Sequence, residues 1–214
     1  MFDYNILMEQ ENTKDKIKKV AAKLFAELGY DGTTTRDICK AANINISLIS
    51  YHFGGKEKLY DEIILDAIES QNNFVDSCKE ITLNFDNLIF EELIMVLKLF
   101  VNRLIDYIYF EVKKESLIIF LRGHKDLRKK YISPVDKLLR ELISKIMQKE
   151  TDDYDVAYSL TFLMSQIVFL FLLDNSVLYF SGNDTNKSIA VEKIKKQINS
   201  YIDLFFSKDK LGLV

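Results

Sequence analysis

Residues 34–56 carry the side chains of this chain that are best suited to contact a nucleic acid. Hydroxyl, amide and basic groups recur there, and two glycines stand directly before Lys56. Their order predicts two short helices joined by a tight turn, followed by a glycine break and a lysine that opens another helix. This layout can set one helix into the major groove of DNA while flanking groups bind phosphates.

Capping and turn residues mark the helix ends in this stretch. Thr34 stands three residues before Asp37, which is the spacing of a capping box at a helix start. Asn43 occupies the turn, where a positive φ is required, and asparagine tolerates that conformation better than most residues. Asn45 can then cap the next helix with its side-chain oxygen.

The second of these short helices has two chemically different faces. Ile49 and Phe53 lie four residues apart and are predicted to face the core. Ile46, Ser47 and Ser50 fall on the opposite face, which would point into the groove. Hydroxyls can donate to or accept from base edges, and an apolar side chain can contact the thymine methyl group.

The elements that must hold these two helices in place are also helical in pattern. Residues 13–28 keep apolar side chains at i, i+3, i+4 and i+7 spacing, and Gly29 is placed to end that helix. Pro134 would kink a later helix or mark its late start at Ser133. A long helix begins at Lys56, and further helices are predicted at 88–109, 111–122, 125–148, 153–172 and 188–206. The predicted fold class is therefore all-α.

The composition agrees with a helical protein that has a substantial core. Hydrophobic residues make up 48% of the 214 and charged residues 29%, whereas there are only 7 glycines and 1 proline, which disfavours a loop-rich β fold. The net charge is -3, yet residues 13–60 hold nine Lys and Arg against five acids, a local excess of four positive charges. A basic segment on an acidic body is compatible with nucleic-acid binding.

Enzymatic and metal-binding functions are disfavoured by the motifs that the sequence lacks. It contains no G-x-S-x-G, H-E-x-x-H or paired C-x-x-C pattern, and only 2 histidines. We therefore predict no catalytic residues, no metal and no cofactor.

Cys39 and Cys78 are too few for a disulfide framework and suit the reducing cytoplasm. The apolar run 160–173 is short for a membrane span and contains polar residues, so it predicts a buried or interface helix.

Several short motifs resemble the amino-terminal domain of the tetracycline-repressor (TetR) family of bacterial regulators. They are Ala22-Lys23-Leu24-Phe25, Gly29-Tyr30, Thr34-Thr35-Arg36-Asp37-Ile38, Ala41-Ala42 and Tyr51-His52-Phe53-Gly54-Gly55-Lys56-Glu57-Lys58-Leu59. The residue pattern predicts a flexible arm at 1–12 and a domain boundary within the long helix that begins at Lys56. With these bounds, the resemblance implies a three-helix helix-turn-helix DNA-binding domain at 13–60 and a helical ligand-binding and dimerisation domain at 61–214. Asn43, Ile46 and Ser50 depart from the usual family pattern, so the operator sequence does not follow from it.

The resemblance also implies a role in DNA binding for individual residues. Thr34 and Thr35 would meet a phosphate at the start of their helix, and Arg36 would reach a guanine edge or a phosphate. Tyr51 and His52 would bind phosphates beside the groove, and the lysine that opens the next helix would add positive charge. The full set is Thr34, Thr35, Arg36, Asn45, Ile46, Ser47, Ser50, Tyr51, His52 and Lys56.

For the carboxy-terminal bundle the resemblance implies a homodimer and a small-molecule effector of unknown identity. Two apolar helical stripes would form the dimer interface, with Leu160, Met164, Ile167, Phe171, Ile198, Ile202 and Phe205 as its residues. Mostly aromatic residues of the middle helices would line an effector pocket, namely Tyr107, Phe110, Phe120, Tyr158, Phe162, Gln166 and Phe169. Both sets are also compatible with an ordinary core.

These observations predict a sequence-specific DNA-binding transcriptional regulator in the cytoplasm rather than an enzyme. It would act as a ligand-responsive repressor, as a homodimer on a palindromic double-stranded DNA operator, and away from membranes. The alternative is a helical protein-interaction module that shares the fold but has lost DNA binding, because the chain is acidic overall and presents few base-reading side chains.

Overall fold

The computed structural model describes residues 2–82, 85–122, 133–173 and 187–212, and the regular structure in these ranges is helical throughout. The prediction of an all-α fold is therefore confirmed. Two compact units divide the chain, and each contains segments that are separate in sequence. Unit 1 consists of Met1–Ser70 and Lys113–Tyr131, and unit 2 consists of Gln71–Val112 and Ile132–Val214.

The helix bounds agree with most of the predicted ranges. Unit 1 contains α1 (Phe2–Gly32), α2 (Thr35–Ala42), α3 (Ser47–Phe53), the first part of α4 (Lys56–Ser77) and α7 (Lys114–Arg122). Unit 2 contains the end of α4, α5 (Lys79–Thr82), α6 (Phe90–Asp106), α8 (Pro134–Met147), α9 (Tyr154–Leu172), α10 (Lys187–Phe205) and α11 (Lys208–Leu211). A 3₁₀ helix at Phe85–Asn87 precedes α6, and a π-helical turn at Tyr107–Glu111 continues it.

Two helix starts differ from those predicted. α1 begins at Phe2, so residues 2–12, which were predicted to be a flexible arm, are helical and contain neither glycine nor proline. Near its other end α1 is kinked at Gly29, which has φ 79° and ψ 169°. The helix predicted at 125–148 begins at Pro134, whose missing N–H does no harm in the first turn. Ser133 caps this helix by accepting a hydrogen bond from the N–H of Asp136 at 3.1 Å. Residues 125–132 lie outside the described part of the chain.

A continuous apolar core holds unit 1 together and fixes α2 and α3 against α1. Each large aliphatic side chain that is buried contributes about 1.5–3 kcal/mol to stability. Most inward-facing positions predicted for α1, α2 and α3 belong to this core, but Leu28, which was predicted to face inward, is 55% exposed and Ala41 is exposed. Buried residues from every helix of the unit take part: Ile17, Ala21, Phe25, Ile38, Ile49, Phe53, Leu59, Ile63 and Ile119.

The position of α7 differs from the predicted division of the chain after Tyr60. Ile119 of α7 is buried in the unit 1 core, and Arg122 Nη1 donates to the carbonyl oxygen of Ala26 in α1 at 2.8 Å. The division inside α4 also falls after Ser70. Arg122 and Ala26 are 96 positions apart, and a contact at that separation leaves no local signal in the sequence.

Unit 2 is a bundle in which α6 and α9 both pack against α8 and α10. Its buried face on α6 is apolar, with Leu97, Phe100 and Leu104 almost without solvent contact. Polar pairs spaced by one helical turn link α6 to α10 and align the two helices antiparallel. These pairs are Lys98–Asp203, Asn102–Asn199 at 3.1 Å and Asp106–Lys195 at 2.7 Å.

Candidate nucleic-acid interface

The start of α2 is built around Thr34 and Asp37. The Thr34 hydroxyl accepts from the N–H of Asp37 at 3.1 Å and donates to Asp37 Oδ2 at 2.5 Å. The N–H of Thr34 donates to the same carboxylate oxygen at 2.9 Å. The predicted capping box is therefore confirmed. These hydrogen bonds from Thr34 hold the pKa of the Asp37 carboxyl below its usual value, because they favour its charged form.

The capping box uses the two hydrogen-bond donors of Thr34 that were predicted to contact a phosphate. Its hydroxyl proton and its N–H are both directed at Asp37, so neither is free for the phosphate contact predicted for this residue. Arg36 is exposed and Thr35 is half-buried. Their backbone N–H groups head the helix, where there is no intrahelical acceptor. A phosphate at this helix start would therefore meet Thr35 and Arg36 rather than the Thr34 hydroxyl.

The turn between α2 and α3 follows its sequence signals. Asn43 has φ 50° and ψ 57°, the left-handed conformation predicted for it. The side-chain oxygen of Asn45 accepts from both the N–H and the hydroxyl of Ser47 at 3.0 Å. Asn45 thus caps the first N–H of α3, although Ile46 directly precedes the helix and makes no side-chain cap. Gly54 ends the helix with φ 74°, a conformation that costs glycine less than any residue with a Cβ.

α3 buries one face and exposes the other, as its sequence predicts. Ile49 and Phe53 are buried in the unit 1 core, whereas Ile46, Ser47 and Ser50 are exposed. We call Ile46, Ser47, Ser50 and Tyr51 the reading face of α3. A helix anchored in this way can present its polar side to a groove without disturbing its own packing.

The Ser47 hydroxyl has a defined hydrogen-bond direction on this face. Because it donates to Asn45 Oδ1, its lone pairs remain to accept hydrogen bonds. Cytosine N4 and adenine N6 are the base groups that donate in the major groove. The cap therefore favours contact between Ser47 and a base that offers an amino group, a preference that residue order alone does not reveal.

Tyr51 and His52 lie at the carboxy-terminal end of α3. Tyr51 is 70% exposed, and its ring meets the ring of His52 edge to face with 5.0 Å between centroids. His52 is half-buried and also lies beside the ring of Phe53. This arrangement keeps the Tyr51 side chain in solvent, where its hydroxyl can donate to a phosphate oxygen.

Lys56 is not placed as the sequence predicted. Its Nζ donates to the carbonyl oxygens of Tyr30 at 2.9 Å and Thr33 at 3.0 Å. The same ammonium group lies 4.0 Å from the centre of the Tyr30 ring. Lys56 was expected to contribute its charge to a phosphate, but contacts within unit 1 engage it. The Tyr30 carbonyl also accepts from the N–H of Thr33 at 3.4 Å, so Lys56 gives it a second donor and gives one to the Thr33 carbonyl before α2.

The positive charge predicted for residues 13–60 is offset by the acids that follow in α4. Lys14 pairs with Glu62 at 2.9 Å, and Lys18 pairs with Asp66 at 2.7 Å. Residues 61–70 add four acids and no basic residue, so the formal charge of residues 13–70 is zero. Unit 1 gains positive charge instead from residues 113–131, which contain seven Lys and Arg against two acids.

The residues predicted for the dimer interface do not form one exposed surface. The buried ones pack inside unit 2, because α9 and α10 turn this stripe towards α8 and towards each other. They are therefore core residues of the chain itself. Leu160, Ile167, Ile198 and Ile202 are buried, and Met164, Phe171 and Phe205 are half-buried.

The exposed face of α9 lies on another side of the helix. Tyr154, Tyr158, Thr161, Ser165 and Phe169 follow one another at three- or four-residue spacing and are all exposed. We call these five residues the aromatic face of α9. Among the described helices, α9 alone has the length and composition to cross a membrane, and 33% of that stretch is buried. An uncovered apolar face of this kind marks an interaction surface.

The residues predicted to line an effector pocket differ in burial and in the unit to which they belong. Phe120 belongs to unit 1, whereas the others belong to unit 2. Tyr107 is buried and stacks on Phe74 with 4.5 Å between centroids. Phe162 is half-buried and stacks on Tyr201 at 5.0 Å. Phe110, Tyr158 and Phe169 are exposed, and Gln166 is half-buried.

Tyr109, within the π-helical turn, carries a buried polar group that is unsatisfied. Its hydroxyl is buried and has no hydrogen-bond partner in the part of the chain that the structure describes. Burial raises the pKa of Tyr109 to about 12. Its ring packs edge to face on Phe171 at 5.3 Å. An unsatisfied buried hydroxyl costs about 1–3 kcal/mol, and an acceptor atom on a ligand would remove that cost.

The geometry of unit 1 defines the class of protein. α2 and α3, joined by the turn at Asn43 and supported by α1 and α4, form a helix-turn-helix domain whose second helix is exposed. Residues 17–63 match the family model described as "Bacterial regulatory proteins, tetR family". These residues therefore form an amino-terminal domain of the TetR type, which confirms the resemblance found in its motifs.

Two bacterial regulators are similar to less than a third of this chain. The biofilm operon icaADBC negative transcriptional regulator IcaR of Staphylococcus aureus is 42% identical over 62 residues, which are 29% of this chain and 33% of that protein. The probable transcriptional regulator YttP of Bacillus subtilis is 36% identical over 66 residues, which are 31% of this chain and 32% of that protein. The match thus spans about a third of the length of each relative.

A solved structure shows that the likeness in fold extends beyond this region. A TetR-family transcriptional regulator from Bordetella parapertussis superposes with a TM-score of 0.60 over 92% of this chain and 95% of that chain. The two sequences are 18% identical, so the likeness concerns the fold alone. It supports an amino-terminal helix-turn-helix domain followed by a helical second part, as predicted.

Proposed function

We propose that this protein is a DNA-binding transcriptional regulator that inserts α3 into the major groove. The observation that carries the proposal is the division of α3 into a face anchored by Ile49 and Phe53 and the exposed reading face. Caps at Thr34 and Asn45 fix both short helices. The match of residues 17–63 to the TetR family model supports the same role.

Base recognition would come from short side chains close to the helix. Ser47 would accept from an adenine or cytosine amino group, because its proton is held by Asn45. The Ser50 hydroxyl would either donate a hydrogen bond to a base edge or accept one from it. Ile46, which is half exposed, would contact a thymine methyl group.

Phosphate contacts would lie on both sides of the reading face. The exposed Arg36 and the first N–H groups of α2 suit one strand. The exposed hydroxyl of Tyr51 suits the other. Because phosphate contacts displace counterions, affinity for DNA should fall steeply as salt rises.

We propose a homodimer in which two copies of the aromatic face of α9 pack together. Tyr158 and Phe169 are more than half exposed, while Thr161 and Ser165 between them are small enough to allow two helices to approach closely. A two-fold dimer would place two copies of α3 on one side of DNA and would read inverted half-sites about one helical turn apart. Light scattering that shows a monomer at micromolar concentration would remove this part of the proposal.

We propose further that the regulator is a repressor and that a small molecule releases it. The relative IcaR is a negative transcriptional regulator, and its 62 similar residues support repression by analogy. The unsatisfied hydroxyl of Tyr109 supports a ligand that accepts a hydrogen bond in unit 2. A melting-temperature screen of small molecules should find ligands that stabilise the wild type and that lose about 1 kcal/mol of binding to Tyr109→Phe.

The function is tested by selecting bound duplexes from a random pool. We expect enrichment of inverted half-sites whose centres are about 10 base pairs apart. Ser47→Ala with Ser50→Ala should alter the enriched bases while leaving the spacing unchanged. Ser200→Ala, at an exposed serine of α10, is the matched control and should select the wild-type sequence.

Failure of this selection has a definite meaning. If the folded wild-type protein enriches no sequence and also fails to shift its own upstream DNA, the alternative applies. The protein would then be a helical interaction module that keeps the fold without binding DNA. The cytoplasm is the compartment that the proposed function requires, since the operator would lie on the bacterial chromosome.

A further inference from the structure

We propose that Lys56 is a positioning residue that clamps the corner between α1 and α2 and thereby aims the reading face. This inference rests on the proposed function, because it concerns how α3 is presented to DNA. The corner is defined here as residues 29–34. Its geometry, and the place of Lys56 in the chain, carry the argument.

The corner contains a sharp change of direction whose carbonyl groups need donors. Gly29 turns the chain with φ 79°. Thr33 is fully buried, and its hydroxyl donates to two carbonyl oxygens of α1, at 2.8 and 3.2 Å. Lys56 donates to two others, those of Tyr30 and Thr33. Two side chains therefore satisfy the corner, one from within it and one from α4.

The position of Lys56 connects the three helices that frame α3. It is the first residue of α4 and follows α3 by two glycines. Its partner Tyr30 lies in the last turn of α1, and its partner Thr33 directly precedes Thr34, the cap of α2. One ammonium group thus holds the end of α1, the start of α2 and the start of α4 together.

The surroundings of the ammonium group keep this clamp in place. The Tyr30 ring lies beneath Lys56 Nζ and packs on Tyr60 at 4.9 Å and on Phe25 at 5.9 Å between centroids. Phe25 and Tyr60 also meet edge to face at 5.0 Å. A cation over an aromatic face is attracted to it, and hydrogen bonds from a charged donor are stronger than neutral ones.

A clamp and a phosphate contact predict different responses to salt. A lysine that neutralises a phosphate releases a counterion, so its loss lowers the slope of log affinity against log salt by about 0.9. Loss of a clamp makes the free domain less ordered but leaves the phosphate contacts of the bound state intact. Affinity then falls by the same factor at every salt concentration, and the slope stays that of the wild type.

The test compares Lys56→Met with Lys58→Met, an exposed lysine of the same helix turn. Methionine keeps the length of the stem but removes the charge and the donors. In Lys56→Met we expect roughly tenfold faster amide exchange over residues 30–37 without DNA. We also expect roughly tenfold weaker binding to the selected duplex at every salt, with an unchanged slope. Lys58→Met should leave exchange over residues 30–37 at the wild-type rate.

Three results would overturn the clamp. The first is a salt slope that falls by about 0.9 in Lys56→Met, which means a phosphate contact. The second is wild-type exchange over the corner, and the third is a lower melting temperature with undiminished DNA affinity of the folded protein. If the wild type binds no DNA, the proposed function fails, while the exchange measurement still decides whether Lys56 holds the corner.

Discussion

α3 and α9 each leave one face uncovered within the chain, but the two faces differ in chemistry. The reading face of α3 offers short hydroxyl side chains and Tyr51, whereas the aromatic face of α9 offers Tyr154, Tyr158 and Phe169 around two small residues. Burying a hydroxyl group is favourable only if a polar partner replaces the hydrogen bonds that it made to water. Aromatic rings gain mainly by leaving water. The contrast points to nucleic acid as the partner of α3 and to protein as the partner of α9.

The largest effect that would sharpen this contrast is expected from Phe169→Asp. A carboxylate within the proposed apolar interface would be buried without a partner, so the dimer dissociation constant should rise at least about 100-fold. Sedimentation velocity over a range of concentrations measures this change. Met95→Asp places the same charge at an exposed site of α6 and should leave the dimer intact. If the dimer dissociation constant of Phe169→Asp equals that of the wild type, α9 does not form the dimer interface.

A smaller effect is expected from Tyr51→Ala on the reading face. Loss of one charge-assisted hydrogen bond to a phosphate should weaken binding to the selected duplex roughly tenfold. Tyr51→Phe removes only the hydroxyl and should reproduce most of that loss in a fluorescence-anisotropy titration. Leu65→Ala, at an exposed position of α4, serves as the control. Equal affinity for wild type and Tyr51→Ala would show that this end of α3 does not reach DNA.

The smallest effect is a change in the acid stability of the α2 start. Hydrogen bonds from Thr34 lower the pKa of Asp37 in the folded state. The stability that they provide is present above the ordinary carboxyl pKa of about 3.9 and is lost as the pH falls through the lower folded value. Asp37→Asn should therefore unfold at a lower urea concentration than the wild type at pH 7, and the difference should shrink below about pH 4. Asp31→Asn, at an exposed acid, is the control, and a constant difference across this range would contradict the assignment.

Features of the site that involve neighbouring residues could be predicted from the sequence. The capping box joins residues three apart, the cap of α3 joins residues two apart, and the left-handed turn involves Asn43 alone. Each is set by local backbone geometry and by the side chains within it. For the same reason the bounds of α6, α9 and α10 agreed closely with the helical spacing of their apolar residues.

Features that depend on distant contacts could not be predicted in this way. Lys56 has its two partners 26 and 23 positions away, so its residue type suggested a phosphate contact instead. Ile119 joins the core of unit 1 from a segment beyond the first part of unit 2. For α9 the sequence predicted an apolar stripe but not which face of the helix is buried. Apolar residues occur on every face of this helix, and Ile167 is buried while Phe169 is exposed only because other helices pack against the first and not the second.

The short hydroxyl side chains of α3 limit how well one copy of the helix can distinguish its operator from the rest of the genome. A good bidentate base contact discriminates by about 1–3 kcal/mol, and the single hydroxyls of Ser47 and Ser50 are monodentate. A chromosome presents about a million or more competing positions, far too many for one such helix to sort. Two linked copies multiply their discrimination, so the selectivity of one copy is squared. The exposed rings of α9, by joining two copies, would then contribute as much to operator selectivity as the serines that contact the bases.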